Sequence, residues 1–280
     1  MTSELASEPA GTTALDALAR RSELLFTQDA RGRLLGLRET GEALAPRFYL
    51  ARGPLGCIWR IRADLPREIV VALARLAGKE GPLAAGTGAI DDCPPPERME
   101  AFRNVLRQHG PILHEYRGPA FRFPAVIPDA GELAKEPATN ETSGRPEALR
   151  LDARRQADRA LLMKTSDDVA NPDELALSWL DHPSELSPQT DCFAIVRGRQ
   201  IVSACWTARA LPGVGVEAGV RTIASQRGRG FAPIAVAAWA RSMREGGLEP
   251  HYSTEWTHKA SRAVARRLGL ILFAEDLHFG

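Results

Sequence analysis

A mixed α/β fold of the α+β kind, divided into two domains, is predicted by three observations. Strand-like runs and amphipathic helical patterns are interspersed along the whole chain. Residues 128 to 146 are rich in Pro, Gly, Glu, Ser and Thr without apolar periodicity, which marks a linker. A length of 280 residues with 44% hydrophobic residues suits one large or two ordinary domains with filled cores. The expected division is a disordered stretch over 1–12, an N-terminal α/β domain over 13–127, the linker over 128–146 and a C-terminal domain over 147–280.

In the first half, Thr13 with Asp16 resembles a cap before Leu15, Leu18, Ser22 and Leu25, which share a helical face. Arg33 to Leu37, Arg47 to Arg52 and Cys57 to Arg62 read as extended, the last two joined by the hairpin-sized turn Gly53-Pro-Leu-Gly56. Pro66 opens a helix with Ile69, Ala72, Leu73 and Leu76 on its apolar face, and Gly78 suits its end. Pro94-Pro-Pro96 introduces a second helix carrying Met99, Phe102, Val105 and Leu106, which stops before Gly110-Pro111. Short strands are expected over Ile112 to Tyr116 and Ala120 to Phe123. No motif in this half is tied to chemistry, since His114-Glu115 lacks the second histidine of a zinc-protease helix.

Beyond the linker, Ala148 to Leu151 reads as a strand, Ala157 to Lys164 as a helix and Pro172 to Leu180 as a helix capped by Asn171. Cys192 to Val196 and Gln200 to Thr207 are strands joined by a tight turn at Gly198-Arg199. Val214, Val216, Ala218 and Val220 alternate with Gly215, Glu217, Gly219 and Arg221, the period of a strand with one buried face. Glu217 then lies on the other face, beside two glycines. Arg227-Gly-Arg-Gly230 turns the chain into a helix with Phe231, Ile234, Ala235, Ala238, Trp239 and Ser242 on one face, and Pro233 fits its first turn. Pro250 to Trp256 is a further strand, Thr257 caps a helix with Ala260, Val264 and Leu268, Gly269 closes it, and Leu270 to Phe279 is extended.

The 36 basic residues nearly cancel the 35 acidic ones, so no bulk field draws the chain to nucleic acid or anionic lipid, and neither partner is expected. Cys57, Cys93, Cys192 and Cys205 form no Cys-x-x-Cys pair, which indicates neither a zinc knot nor a disulfide framework and fits a reducing compartment. Met1 to Thr13 lacks an apolar signal core and no apolar run reaches spanning length, so a cytoplasmic location is expected.

The strand, glycine turn and helix start over Glu217 to Pro233 carry the functional reading. The first turn of a helix presents unpaired N–H groups and the positive end of the dipole, and glycines let a phosphate approach the backbone. The alternative is that Gly228 and Gly230 only turn the chain tightly. Nucleotide binding is disfavoured because no Gly-Lys-Ser/Thr follows the loop.

The order strand, two helices, hairpin, strand, Gly-rich turn, long helix, strand, helix, strand resembles the GNAT superfamily of N-acetyltransferases. Arg227-Gly-Arg-Gly230-Phe-Ala232 resembles that superfamily's pyrophosphate loop, and Ser261 to Gly269 resembles its last helix with a Leu-Gly ending. The resemblance covers residues 147 to 280 and implies a mixed, mainly antiparallel sheet flanked by helices; with the N-terminal α/β domain, the chain looks like a bacterial member carrying an additional domain.

The resemblance implies acetyl-CoA as co-substrate, no metal, and a small-molecule or peptide amine as acceptor. Arg227, Gly228, Arg229, Gly230, Phe231 and Ala232 would hold the pyrophosphate, and backbone groups of Val220 and Thr222 the pantetheine arm. His258 stands where many members have Asn at the start of the last helix and joins the cofactor-binding positions, although capping or solvent exposure would also account for it. Acyl transfer needs a neutral amine, a polarised thioester carbonyl and a proton for the leaving thiolate. Glu217 is expected as the base, against the alternative of an ion pair with an arginine. The family's usual tyrosine is replaced by Ala265, leaving Tyr252, Ser261 and, last, His258 as expected substitutes for the acid, or water as the proton source. An acyl-CoA-binding regulatory or scaffold protein without turnover is the alternative, and a homodimer is left open.

Overall fold

The computed structural model describes residues 14–38, 43–83, 93–133, 146–152, 155–167, 191–198 and 200–280. The segment 1–12, most of the expected linker and the expected helix over 172–180 lie outside the described residues. Elements run α1 (Ala14–Leu25), β1 (Phe26–Gln28), β2 (Leu34–Leu37), β3 (Phe48–Gly53), β4 (Gly56–Ile61), α2 (Arg67–Ala77), α3 (Met99–Arg107), β5 (Glu115–Arg122) and α4 (Ala130–Leu133). They continue with β6 (Leu149–Asp152), α5 (Gln156–Asp167), β7 (Asp191–Arg197), β8 (Gln200–Leu211), β9 (Gly215–Thr222), a 3-10 turn (Ala224–Gln226), α6 (Phe231–Glu245), β10 (Pro250–Ser253), α7 (Lys259–Arg267) and β11 (Ile271–Phe279). The fold is mixed α/β with mostly antiparallel strand pairing; β9 with β10 is parallel.

Two compact units are present: Met1–Ala125 with Tyr252–Ala263 and Leu270–Gly280, and Val126–His251 with Val264–Gly269. The sequence division keeps 147–280 together, whereas these units draw two C-terminal segments into the first. The physical reason is β11, which pairs along its length with β3 on one edge and β5 on the other.

The first unit's strands lie in the order β4-β3-β11-β5. β3 is buried throughout because both its faces are covered. Phe48 and Leu50 join Ile61, Leu277, Phe279 and the apolar sides of α2 and α3. Tyr49 and Ala51 point the other way, to Leu18 and Leu25 of α1 and to Phe26 and Leu34. Leu15, expected on the buried side of α1, is 44% exposed, and Arg21 and Leu24 are buried instead.

Three local expectations are corrected here. The two strands expected over 112–116 and 120–123 are one strand, β5, running through Gly118-Pro119. Pro119 does not interrupt it: its carbonyl accepts from the Thr254 amide, so its missing N–H lies on that side and removes nothing from the ladder with β11. Gly118 is required there, because a Cβ would come 1.8 Å from the Thr254 carbonyl oxygen. The strand expected over 250–256 ends at Ser253, the amides of Thr254 and Trp256 being taken by Pro119 and Arg117 carbonyls. Thr257 does not cap α7, since its hydroxyl donates to Glu255.

In the second unit the order is β9-β8-β7-β6, with Pro250 and His251 of β10 on the free edge of β9. α6 covers the face that carries Thr207, whose hydroxyl accepts from Trp239 Nε1 at 3.0 Å. α5 packs Leu161 and Leu162 on the opposite face, against Cys192, Ala194, Ala204 and Trp206. Buried residues surround more of α6 than the expected stripe, taking in Val236, Ala237, Ala240 and Met243.

Candidate functional site

β9 has no bulge of its own. The irregularity lies on β8, where Thr207 opposes Ala218 and Arg209 opposes Glu217, leaving Ala208 as the extra residue. That insertion places Arg209, rather than Ala208, across from Glu217. On the other edge, His251 of β10 is registered with Glu217. Paired positions share a sheet face, so Arg209, Glu217 and His251 form one row across three strands. Glu217 is 2% exposed and His251 8%. The expectation of a single buried face therefore fails at this point of β9, because Val216 on the opposite face is buried as well.

The glycines beside Glu217 make room for aromatic rings. A Cβ at Gly219 would come 2.6 Å from Trp206 Cε2, and one at Gly215 would come 3.6 Å from His251 Nε2 and 3.0 Å from the Glu249 carbonyl oxygen. Trp206 therefore lies over Gly219, where a Cβ would clash, and the His251 ring lies beside Gly215 at ordinary contact distance.

The backbone of β9 divides into two sets. Ile223 N–H donates to the Val202 carbonyl at 3.1 Å, next to the Ser203–Thr222 pair. Counting back along an antiparallel ladder, Thr222, Val220 and Ala218 fall at non-hydrogen-bonded positions, so their N–H and C=O groups point away from β8. Val216, of the same parity, donates its N–H to the Glu249 carbonyl at 2.9 Å, which agrees with that direction. β10 pairs with β9 only at Val216 and Glu217. The register Glu217↔His251 gives the Ala218 amide to the His251 carbonyl, and among the described residues no strand pairing reaches this edge at Val220 or Thr222. The side chain of Thr222 is held in place by Ser203 at 2.8 Å.

The glycine turn follows at once. Arg227 is extended and its Nε donates to the Thr222 carbonyl at 3.2 Å. Gly228 has φ 80° and Gly230 φ 87°, a left-handed conformation that L side chains adopt with strain. Gly230 is the N-cap of α6, with no side chain capping the first turn. Arg227, Gly228 and Arg229 are exposed, Ala232 is half-buried, and Phe231 is buried beneath the Arg197 guanidinium, 5.3 Å from its ring centre. Exposed amides, the positive helix end and several arginines thus meet at one turn.

Tyr252, His258 and Ser261 belong to the first unit. Tyr252 and Ser261 are together, hydroxyl to hydroxyl at 2.5 Å, with the tyrosine buried. His258 is exposed and its carbonyl accepts the Arg262 amide at the start of α7. Cys205 is fully buried, and burial holds its thiol well above the ordinary value, so it is no exposed nucleophile. Among the described residues no group of His, Cys, Asp and Glu could hold a metal ion, and no helix is long and apolar enough to cross a membrane.

Residues 190–275 match the family model described as GNAT acetyltransferase. Over this stretch the chain is similar to the GNAT acetyltransferases. The match spans β7 to β11, including the Glu217 row and the glycine turn. A GNAT segment supports acyl transfer from an acyl-CoA in general. Solved structures of GNAT proteins are also similar, at low identity. A tandem GNAT protein from the clavulanic acid biosynthesis pathway is 12% identical, with 86% of this chain and 79% of that one covered and a TM-score of 0.45. A GCN5-related N-acetyltransferase from Sphaerobacter thermophilus is 12% identical, with 86% and 82% covered and a TM-score of 0.44. A GCN5-related N-acetyltransferase-like protein from Streptococcus suis 89/1591 is 16% identical, with 84% and 85% covered and a TM-score of 0.41. No curated protein matches the chain.

Sequence reasoning missed Arg209, His251 and Trp206. A bulge places Arg209, and interstrand register places His251; neither is written in local periodicity. Trp206 could have been suspected from Gly219, a strand glycine that suggests a close approach.

Proposed function

We propose that the chain transfers an acetyl group from acetyl-CoA to an amine on a small molecule or peptide. The observation that carries this reading is the succession of an open β9 edge at Val220 and Thr222 and, a few residues on, the uncapped, left-handed glycine turn that opens α6. The edge suits an amide-bearing arm that adds like a strand, and the turn suits the pyrophosphate that follows it. Arg227 to Ala232 would hold the phosphates, with Arg227 and Arg229 adding positive charge. Glu217 would serve as base, supported by its place on the strand that carries the open edge. The ammonium first loses a proton; its nitrogen then attacks the thioester carbonyl, a C–N bond forms, the nitrogen gives up its second proton, the C–S bond breaks with its electron pair on sulfur, and the thiolate takes up one proton while the other is released. Tyr252 and Ser261 are proposed as the acid, since their paired hydroxyls can relay a proton; His258 is proposed as a further cofactor contact from its exposed place at the start of α7. Residues 147–280 would be the acetyltransferase domain, working in the cytoplasm.

The test is isothermal titration of the whole protein with acetyl-CoA, CoA and ATP, followed by CoA release with a panel of amines. Binding of both CoA species but not ATP, with turnover falling roughly 100-fold or more in Glu217→Gln, is expected. A folded protein that binds no acetyl-CoA overturns the reading.

A further inference from the structure

We infer that His251 is the proton-holding partner of Glu217, the two forming a buried carboxylate–imidazole couple in one row with Arg209. This deepens the proposed function and rests on it for its role in turnover.

The argument begins with placement. Glu217 and His251 are registered partners on adjacent parallel strands, on one face, both largely buried, and Arg209 occupies the same row on the other side. The imidazole lies on this face beside Gly215, with Nε2 3.6 Å from where a Cβ would stand, an ordinary contact distance. On the opposite side of β9, α6 packs through Thr207, Trp239 and Met243, and α5 reaches this side through Leu161 and Leu162 at β8. Arg221, two rows beyond Glu217 toward the glycine turn, is exposed.

The chemistry then asks for more than one carboxylate. An ammonium gives up two protons on becoming an amide, one before attack and one as the tetrahedral adduct collapses; the thiolate receives one and the other is released. A carboxylate facing a guanidinium is a weaker base than it would be alone. An imidazole beside that carboxylate is, once protonated, stabilised by it. The couple therefore supplies a second place for a proton. His251 acts here through Glu217, as a positioning and relay residue.

The experiment is a pH titration of the full chain labelled with 15N-histidine, followed by NMR, with the His251 ring assigned by its loss in His251→Gln. In the wild type His251 is expected to titrate, and in Glu217→Gln its midpoint should fall by about one unit, because the carboxylate no longer favours the imidazolium. In Arg209→Gln the midpoint should move the other way. This second variant decides the matter if the first does not fold. A His251 midpoint that moves in neither variant, or a ring that never titrates, overturns the couple. Acetyl-CoA titration of the same samples keeps the two readings apart, since absence of binding sinks the acetyltransferase proposal whether or not His251 and Glu217 titrate together. Where acetyl-CoA turnover is measurable, the acid limb of its pH profile should shift in His251→Gln while acetyl-CoA affinity stays unchanged.

Discussion

In the first unit, Glu275 is fully buried, with Arg52 on one carboxylate oxygen at 2.5 Å and Arg117 at 2.5 Å and Trp256 Nε1 at 2.8 Å on the other. Beside it Asp276 takes Arg21 at 2.9 Å and the Tyr49 hydroxyl at 2.7 Å. In the second unit Glu217 is almost as buried, but its row of Arg209 and His251 lies along a strand whose Val220 and Thr222 turn their backbone groups to an edge where no described strand pairs with them. Buried charge alone therefore does not mark a site. The carboxylates of β11 are cross-links that tie α1, β3 and β5 to one strand. Glu217 stands where a ligand could add to the sheet.

The comparison breaks first at Glu275. Glu275→Ala leaves Arg52 and Arg117 facing each other in the interior and should cost about 3–5 kcal/mol in urea unfolding. A loss below about 1 kcal/mol would mean that Glu80, 3.7 Å from Arg52, and the Cys93 and Pro94 carbonyls suffice, and that the first unit's network is not structural in the sense drawn here. Gly230→Asp tests the other side. The left-handed conformation at Gly230 should make the substitution cost about 1 kcal/mol in urea unfolding, while acetyl-CoA binding by the folded variant weakens roughly a hundredfold, or about 2.7 kcal/mol.

Gly219→Ala sharpens the role of Trp206. Its methyl group would press on the indole, and overpacking should lower stability by about 1–3 kcal/mol with a change in tryptophan fluorescence. A pH experiment returns to the first unit, where burial pushes the Cys57 and Cys93 thiols from an ordinary 9.0 up to about 11. Each binds its proton more tightly when folded, so this stabilisation is intact below pH 9 and lost as pH rises through about 11. Urea midpoints taken from pH 8 to 11 should fall less steeply in Cys57→Ala and Cys93→Ala than in the wild type. The smallest effect is expected at Arg103, which bridges Glu100 and Glu115 at the surface; Arg103→Ala should change stability by about 0.2–1 kcal/mol.

Much of the fold was legible because its elements carry local signals. The β3–β4 hairpin announces itself in Gly53-Pro-Leu-Gly56, α6 in the Arg-Gly-Arg-Gly turn and the run from Phe231, and α2 in Pro66 with its apolar stripe. Errors fell where a neighbour overrides a local rule. Gly118-Pro119 reads as a break, yet it is where the Thr254 backbone crosses β5, and the missing proline N–H costs no ladder bond. Thr257 reads as a cap, yet a nearer carboxylate takes its hydroxyl. Within the candidate site, the glycine turn and Glu217 were visible from motif and alternation. Arg209 and His251 were not, because one needs a bulge and the other a register between strands that are more than thirty residues apart along the chain from Glu217 to His251.

The position of β11 also sets a timetable. The strand between β3 and β5 comes from residues 271–279, so a nascent chain that has emerged as far as residue 125 holds the flanks of a sheet with its middle missing. Phe48, Leu50 and Phe121 then lack their β11 partners until more than 140 further residues, from 125 to 271, have been synthesised, while the segment that forms β7 to α6 can close earlier. Such long-range pairing is slow and exposes unpaired edges meanwhile, which makes the interval before β11 arrives the time when this chain is most in need of a holdase.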